Sequence, residues 1–227
     1  ISSILKKLDP HSTYIPKKEF QSVSENMAGS FSGIGVEFNI IEDSIVVVAA
    51  ISGGPSEKLG IQSGDRIVEV EGENVASINI KNEGVIKRLR GVKGTTVEIK
   101  ILRRGNNNLL DFAIVRDDIP LYSVDASIML NTAIGYIKVN RFSATTFDEF
   151  TKGANKLLSS GMQKLILDLR GNPGGYLGMA IDMCDELLDK DNLIVYTQGR
   201  NRARENVYAT RDGILQNTEI IVLIDEG

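Results

Sequence analysis

The spacing of turn signals along the chain changes near Arg116, and this change limits the folds that the chain can adopt. Residues 30–116 contain short apolar segments separated by Gly-rich turns, a pattern that predicts about five short strands and two short helices. Beyond them, buried strands alternate with longer helical segments, as in a parallel α/β layer. We therefore predict a mixed α/β fold in which a partly open β-barrel precedes an α/β layer.

This division predicts three parts. Residues 1–29 begin with a helical pattern that ends at Asp9-Pro10, because proline disfavours helix at the preceding residue, and they continue as a looser segment. Residues 30–116 form the barrel and residues 117–227 the α/β layer, with a helix expected at 175–188. Residues 116–120 are predicted to be an exposed hinge, where Arg116 could bridge the two domains, although we favour a local pair with Asp118.

Composition excludes several classes of function. The 227 residues carry a net charge of −4, so the chain shows no basic footprint for nucleic acid or for an anionic membrane. No apolar run approaches the roughly 18 residues of a membrane span, and the chain does not open with a signal peptide. The single Cys184 cannot form an intramolecular disulfide. No residue spacing fits a zinc or nucleotide site, so we expect no metal and no cofactor.

The Gly-rich loop Gly33-Ile34-Gly35-Val36 stands directly before a predicted strand. Glycines let such a loop turn its N–H groups toward one point, where they can hold a carboxylate while the strand edge pairs with a peptide. On this motif alone, a tight turn that merely enters the strand is an equally good interpretation.

A second candidate site is the run Asp-Leu-Arg-Gly-Asn-Pro-Gly-Gly at residues 168–175, which follows a buried strand and opens a predicted helix. Backbone N–H groups of Gly174 and Gly175 at a helix start would favour an oxyanion. A plain strand-to-helix turn would explain the proline and one glycine but not two, and we favour the site.

Other reactive residues favour structural roles. His11 is the only histidine, and beside Asp9-Pro10 it fits a turn better than a Ser-His-Asp triad. Cys184 is expected to be a buried small hydrophobic residue. A dense group of acidic residues is interpreted as a solvated helix face and loop: Asp182, Asp185, Glu186, Asp189 and Asp191.

Several motifs in order along the chain resemble the carboxy-terminal processing, or tail-specific, peptidases. They are Leu-Asp-Pro-His-Ser-Thr-Tyr-Ile at 8–15, Gly-Ser-Phe-Ser-Gly-Ile-Gly-Val-Glu-Phe at 29–38, Ile-Gly-Tyr-Ile at 134–137 and the run at 168–175. Residues 55–67 and 90–97 resemble two further segments of a PDZ domain. The resemblance makes the barrel at 30–116 a PDZ domain and the parts around it a peptidase core that is incomplete at its C-terminal end.

The resemblance also implies a function. It implies a serine endopeptidase with a Ser-Lys dyad, whose PDZ domain binds protein C-termini through Gly33, Ile34, Gly35 and Val36 and whose double Gly supplies an oxyanion N–H. The serine is expected directly after Gly227 and the lysine later, so neither lies in this chain, which should be inactive by itself. The same resemblance implies a periplasmic or other extracytoplasmic location.

Two alternatives stay open at this point. One is a PDZ peptide-binding protein on a degenerate, non-catalytic α/β platform. The other is a trypsin-like protease with a PDZ appendage, which the single histidine and the absence of a Gly-Asp-Ser-Gly-Gly segment disfavour.

Overall fold

The computed structural model of this protein describes residue 5 and residues 13–226. It divides into two compact units, one at Ser30–Pro120 and the other made of the described parts of Ile1–Gly29 and Leu121–Gly227. The helix predicted to end near Leu8 and the turn at His11 lie outside the described residues, apart from Leu5, which is helical.

The N-terminal segment contains a helix that the sequence did not predict. Helix α1 spans Lys17–Ala28 and ends at Gly29, which has a left-handed φ of 75° and donates its N–H to the Glu25 carbonyl at 3.0 Å. A glycine in this conformation is a common helix stop. The prediction of an irregular segment here was wrong, because few side chains of α1 are apolar and its helical periodicity is weak.

The Ser30–Pro120 unit is built mainly of antiparallel strands. Its elements are β1 (Ser30–Gly33), β2 (Val36–Ile41), β3 (Ser44–Ala50), α2 (Pro55–Lys58), β4 (Arg66–Val70), β5 (Glu73–Asn74), α3 (Asn82–Leu89), β6 (Thr96–Leu102), β7 (Leu110–Val115) and β8 (Asp117–Pro120). The main sheet has the order β2-β3-β4-β6-β7, and β1 pairs with β8. The sheet does not close on itself, which confirms the partly open barrel.

The predicted connector at 116–120 belongs to this unit. Strand β8 pairs antiparallel with β1, so that Gly33 lies opposite Asp117 and Ser30 opposite Pro120. The predicted pair between Arg116 and Asp118 was wrong, because the Arg116 guanidinium donates to the Leu89 carbonyl at 3.1 Å. Asp118 instead accepts a hydrogen bond from Lys93 at 2.8 Å.

A buried ion pair fixes the turn before β4. Asp65 is 1% exposed, and its two carboxylate oxygens accept hydrogen bonds from the Arg103 guanidinium at 2.8 and 2.7 Å. The same carboxylate accepts the Gln62 N–H at 2.8 Å. The turn at Gly64-Asp65 is therefore tied to the hairpin that follows β6.

The second unit contains an α/β layer. Its further elements are β9 (Val124–Met129), β10 (Ile134–Val139), α4 (Thr146–Ser159), β11 (Lys164–Asp168), α5 (Leu177–Asp185), β12 (Leu193–Gly199), β13 (Arg202–Tyr208) and β14 (Glu219–Leu223). The sheet has the order β14-β11-β10-β9, in which β10, β11 and β14 are parallel and β9 is antiparallel. This confirms the predicted parallel layer and adds two unpredicted strands, β9 and β13.

Helix α4 covers this sheet. Phe150, Ala154 and Leu157 lie at helical spacing on α4 and are at most 2% exposed, and they share a core with Ile137 of β10 and Leu167 of β11. Because three neighbouring strands run parallel, their carboxyl ends meet at one edge. Ligand sites of α/β sheets are usually found at this edge.

Two residues of the predicted acidic face are buried. Asp185 is 8% exposed and accepts hydrogen bonds from the Thr210 N–H and hydroxyl, each at 2.7 Å. Glu186 is 3% exposed and accepts the Ile214 N–H at 3.1 Å. These two residues hold the segment before β14, so the solvated interpretation was wrong for them. Among the described residues, no group of acidic, His or Cys side chains could hold a metal ion.

Candidate active site and peptide groove

A buried carboxylate organises the carboxyl edge of the parallel strands. Asp168 ends β11 and is 1% exposed. It accepts hydrogen bonds from the Tyr136 hydroxyl at 2.7 Å and from Lys138 Nζ at 3.3 Å. Tyr136 and Lys138 lie on one face of the neighbouring strand β10, so two strands bring these groups together.

Arg170 completes the shell of Asp168. It donates from its backbone N–H at 2.9 Å, from Nε at 3.0 Å and from its terminal guanidinium nitrogen at 2.7 Å. These bonds to Arg170 hold the pKa of Asp168 well below its usual range, against the opposing effect of burial. The hydrogen bond to Asp168 in turn raises the pKa of Tyr136. Asp168 is thus a permanently charged anchor for the loop that follows it.

Groups at the ends of two other strands, one a side chain and one a backbone carbonyl, hold this loop. Gly171 donates its N–H to the Asp225 carboxylate beyond β14, at 3.0 and 2.8 Å to the two oxygens. Asn172 donates its side-chain amide to the Val139 carbonyl at 3.1 Å, at the end of β10. Its amide oxygen accepts the Gly174 N–H at 2.8 Å. The loop at 170–175 is therefore fixed from both sides.

The sequence predicted that the double glycine begins the helix, and this prediction was wrong. Helix α5 begins at Leu177 with Tyr176 as its N-cap, and Gly175 forms a parallel bridge with Phe142. Phe142 donates its N–H to the Gly174 carbonyl at 2.9 Å and accepts the Tyr176 N–H at 2.8 Å. This pairing holds Gly175 in an extended segment, so the helix starts after it.

Gly175 is the residue of this loop with an available N–H. The Gly174 N–H is taken by Asn172, and Gly175 N–H donates to no acceptor in the part of the chain that the structure describes. Gly175 also has a φ of 148°, and a Cβ there would lie 2.1 Å from the Phe142 carbonyl oxygen. Only glycine fits this position, and of the two predicted oxyanion donors the geometry favours Gly175.

A cleft of about 460 Å³ lies beside the loop. Its walls come from the end of α1, from the segment after β10 and from the loop itself; they are Asn26, Met27, Asn140, Arg141, Phe142, Ser143, Gly171, Pro173 and Gly174. A peptide carbonyl directed at the Gly175 N–H would have this cleft beside it.

Ser143 and Ser159 do not form a nucleophile–base pair. Ser143 is 1% exposed, and its hydroxyl lies 2.6 Å from the Ser123 hydroxyl and 3.1 Å from that of Thr145. Ser159 donates to the Asn155 carbonyl on its own helix at 2.8 Å. Neither serine hydroxyl lies within hydrogen-bond distance of a described lysine.

The second candidate site lies between β2 and α3. Strand β2 is at the edge of its sheet, so one side of its backbone is open to a further strand. Ile34 and Gly35 are buried, and their N–H groups donate to no acceptor among residues 13–226. A groove of about 130 Å³ runs beside them. It is lined by the predicted loop Gly33, Ile34, Gly35 and Val36, together with Phe31, Phe38, Ile86, Leu89 and Arg90.

Arg90 is the charged residue that lines this groove. Its guanidinium lies over the Phe31 ring, 4.0 Å from the ring centroid, in a cation–π contact. The groove thus combines an open strand edge, unpaired N–H groups at its head and an apolar floor. This is the arrangement that binds an extended peptide by strand addition.

Both units match known families. Residues 32–114 match the PDZ domain and residues 133–227 match peptidase family S41. The carboxy-terminal processing protease CtpA of Bacillus subtilis (strain 168) is 37% identical over 96% of this chain and 46% of its own length. The CtpB protease of the same organism is 34% identical over 89% of this chain and 42% of its own.

Residues 133–227 belong to peptidase family S41, and the chain as a whole is similar to the carboxy-terminal processing proteases. It spans less than half the length of these two relatives. A solved photosystem II D1 C-terminal processing protease aligns with 98% of this chain and 61% of its own length, at 24% identity and a TM-score of 0.44.

The two candidate sites fall in different matched regions of this chain. Gly33–Val36 lies within the PDZ match, and Gly174 and Gly175 lie within the peptidase match. Among the described helices, none is long and apolar enough to cross a membrane.

Sequence reasoning missed the groups that hold the loop: Tyr136, Lys138, Asn172 and Asp225. Tyr136 and Lys138 carried a signal, because two polar side chains two residues apart on a buried strand call for a polar partner. Asp225 carried none, since its contact with Gly171 depends on the strand order.

Proposed function

We propose that the whole protein is a serine endopeptidase that cleaves protein substrates near their C-termini. The observation that carries this proposal is the free N–H of Gly175 in a loop that Asp168, Asn172 and Asp225 hold in place. A rigid donor of this kind stabilises the oxyanion of acyl transfer because it needs no reorganisation during the reaction. The names of the CtpA and CtpB relatives support the same reaction.

The nucleophile and base of this proposal are a serine and a lysine C-terminal to Gly227. The serine oxygen would attack the peptide carbonyl carbon, its proton would pass to the lysine amine, and the carbonyl oxygen would take up charge facing Gly175. Collapse of this adduct would release the amine product with that proton and leave an acyl-serine ester. Water, losing a proton to the neutral lysine, would then attack the ester, release the carboxylic acid product and return the proton to the serine. Such a lysine has to be neutral, so burial must lower its pKa. Lys138 is unsuited to this role, because it is bonded to the Asp168 carboxylate.

The PDZ domain would recognise the substrate. The N–H groups of Ile34 and Gly35 would hold a terminal carboxylate, and the last residues of the substrate would pair with the open edge of β2. The apolar floor formed by Phe38, Ile86 and Leu89 would accept an apolar terminal side chain. By analogy with the family alone, we also propose that the enzyme works outside the cytoplasm.

Peptide binding tests the PDZ part. Titration with a peptide that ends in an apolar residue should shift the amide resonances of Ile34 and Gly35, and amidation of its C-terminus should weaken binding by about tenfold or more. Equal affinity for the acid and the amide would contradict the carboxylate role.

Turnover of a fluorogenic peptide tests the enzyme. The 227-residue chain should show none, and a chain extended through the serine and lysine should show activity that a Ser→Ala change at the nucleophile removes. An extended chain that binds peptides but never cleaves them would instead support a non-catalytic PDZ binding protein. Turnover by the 227-residue chain would show that the nucleophile lies within it.

A further inference from the structure

The cleft beside the double-Gly loop has one charged side chain in its wall, Arg141. The other lining residues are neutral, although the chain as a whole is acidic with a net charge of −4. A lone cation in a half-enclosed, otherwise neutral cleft attracts an anion more strongly than one on an open surface, because less water screens it.

Arg141 is held in place by neutral groups. Its Nε donates to the Asn140 amide oxygen at 3.0 Å, and a terminal nitrogen donates to the Asn26 amide oxygen at 3.3 Å. The nearest acid in this network, Asp125, is bonded to the Asn140 amide nitrogen and not to Arg141. Among the described residues, no carboxylate lies within ion-pair distance of Arg141. The guanidinium is therefore oriented but keeps its charge and unused donors for a ligand.

Arg141 is also placed next to the proposed reaction centre. It directly precedes Phe142, which donates its N–H to the Gly174 carbonyl at 2.9 Å and bridges with Gly175. A peptide whose reacting carbonyl faces the Gly175 N–H would place residues close to the scissile bond in the cleft that Arg141 lines. A planar guanidinium suits a carboxylate because it can donate two parallel hydrogen bonds.

We propose that Arg141 is a specificity-determining residue that binds a carboxylate of the substrate close to the scissile bond. This inference rests on the proposed function. The carboxylate would come from an Asp or Glu side chain or from the terminus of a short tail, and both offer the same two oxygens. A peptidase with this residue prefers acidic sequences at the cleavage position over matched neutral ones.

The test compares peptides that differ by one group. A pair carries Glu or Gln beside the cleaved bond, and a free-acid version of the Gln peptide reports on the terminal carboxylate. With the full-length enzyme we expect kcat/KM to be about tenfold higher for Glu than for Gln, as one charge-assisted hydrogen-bond pair would give. Arg141→Gln should bring this ratio close to one, and Arg141→Lys should keep part of it.

Lys156→Gln is the matched control, because it removes one exposed positive charge from α4 of the same unit. It should leave the Glu-to-Gln ratio unchanged, which separates a local contact from a general charge effect. A second ratio compares kcat/KM for the free-acid Gln peptide with that for the amidated Gln peptide. If Arg141→Gln lowers this second ratio and not the Glu-to-Gln ratio, the bound carboxylate is the terminal one. If Arg141→Gln leaves both the Glu-to-Gln ratio and the free-acid-to-amide ratio unchanged, the inference is overturned.

A binding measurement separates this inference from the proposed function. Fluorescence anisotropy of the Glu and Gln peptides, both amidated so that the PDZ groove does not select between them, should give the same Arg141-dependent ratio on the 227-residue chain. If the full-length enzyme cleaves nothing and the binding ratio persists, the peptidase function is wrong and the Arg141 site stands. If cleavage occurs and neither ratio depends on Arg141, only the inference is wrong.

Discussion

Replacing Gly175 by alanine should disrupt the loop more than any other single methyl group added to it. An alanine Cβ would lie 2.1 Å from the Phe142 carbonyl oxygen and 2.7 Å from its carbon. Ordinary contacts begin near 3.4 Å, so the Phe142 backbone would have to move by more than 1 Å. That backbone also makes the two hydrogen bonds, with the Gly174 carbonyl and the Tyr176 N–H, that fix the loop.

The cost can be estimated from these contacts. A net contribution of about 1 kcal/mol for each of the two hydrogen bonds gives about 2 kcal/mol if both are lost. The φ of 148° at Gly175 is one that residues with a Cβ rarely adopt, and such strain costs about 1–3 kcal/mol. We therefore expect Gly175→Ala to lower the free energy of unfolding of the second unit, which contains residues 121–226, by about 3–5 kcal/mol.

Gly174→Ala is the matched control. Gly174 has a φ of 92°, but a Cβ there would meet nothing within 4 Å, so only the conformational cost of about 1–2 kcal/mol remains. Native-state hydrogen exchange measures both variants, because it reports residues 121–226 and 30–120 separately in one experiment. If the two variants lower the stability of residues 121–226 equally, the contact with Phe142 is not what excludes a side chain.

Further predictions concern the buried carboxylates. Asp168→Asn should destabilise residues 121–226 by about 1–3 kcal/mol in urea, because its amide nitrogen would face donors. The native pKa of Asp168 is depressed, so its contribution is full above the unfolded pKa of about 4 and is lost as the pH falls below it. The wild type should therefore lose stability more steeply than Asp168→Asn between about pH 5 and pH 2, and parallel curves would contradict this. Asp65→Asn should destabilise residues 30–120 by about 1–3 kcal/mol in hydrogen exchange, while the exposed control Asp111→Asn should have little effect. Equal effects of Asp65→Asn and Asp111→Asn would show that the buried pair with Arg103 adds no stability.

Hydrophobic periodicity predicted the elements that bury one face. Strand β6 and helix α4 were evident because their buried side chains, such as Ile99 and Phe150, recur with the period of a strand or a helix. Strand β13 was missed because its residues are almost all exposed and polar, so its sequence shows no hydrophobic periodicity. It forms a two-stranded ribbon with β12, and contacts distant in sequence decide that pairing.

The sequence predicted only those features of the site that depend on residues close together in the chain. The run at 168–175 predicted a turn that needs glycine at particular positions, and Gly174 and Gly175 are indeed in conformations that favour glycine. The start of α5 was placed too early because the sequence does not show that Phe142 pairs with Gly175. Which N–H remains available depends on that pairing, and hence on tertiary structure.

In the described loop from Arg170 to Tyr176, one backbone N–H group, that of Gly175, has no acceptor. The N–H groups of Gly171, Asn172 and Gly174 are bonded to Asp225, the Leu169 carbonyl and the Asn172 side chain, respectively. Pro173 has no N–H, and the Tyr176 N–H is bonded to Phe142. The asparagine and proline between Gly171 and Gly174 therefore matter as much as the glycines, because within this described loop they leave Gly175 as the one residue whose N–H has no acceptor.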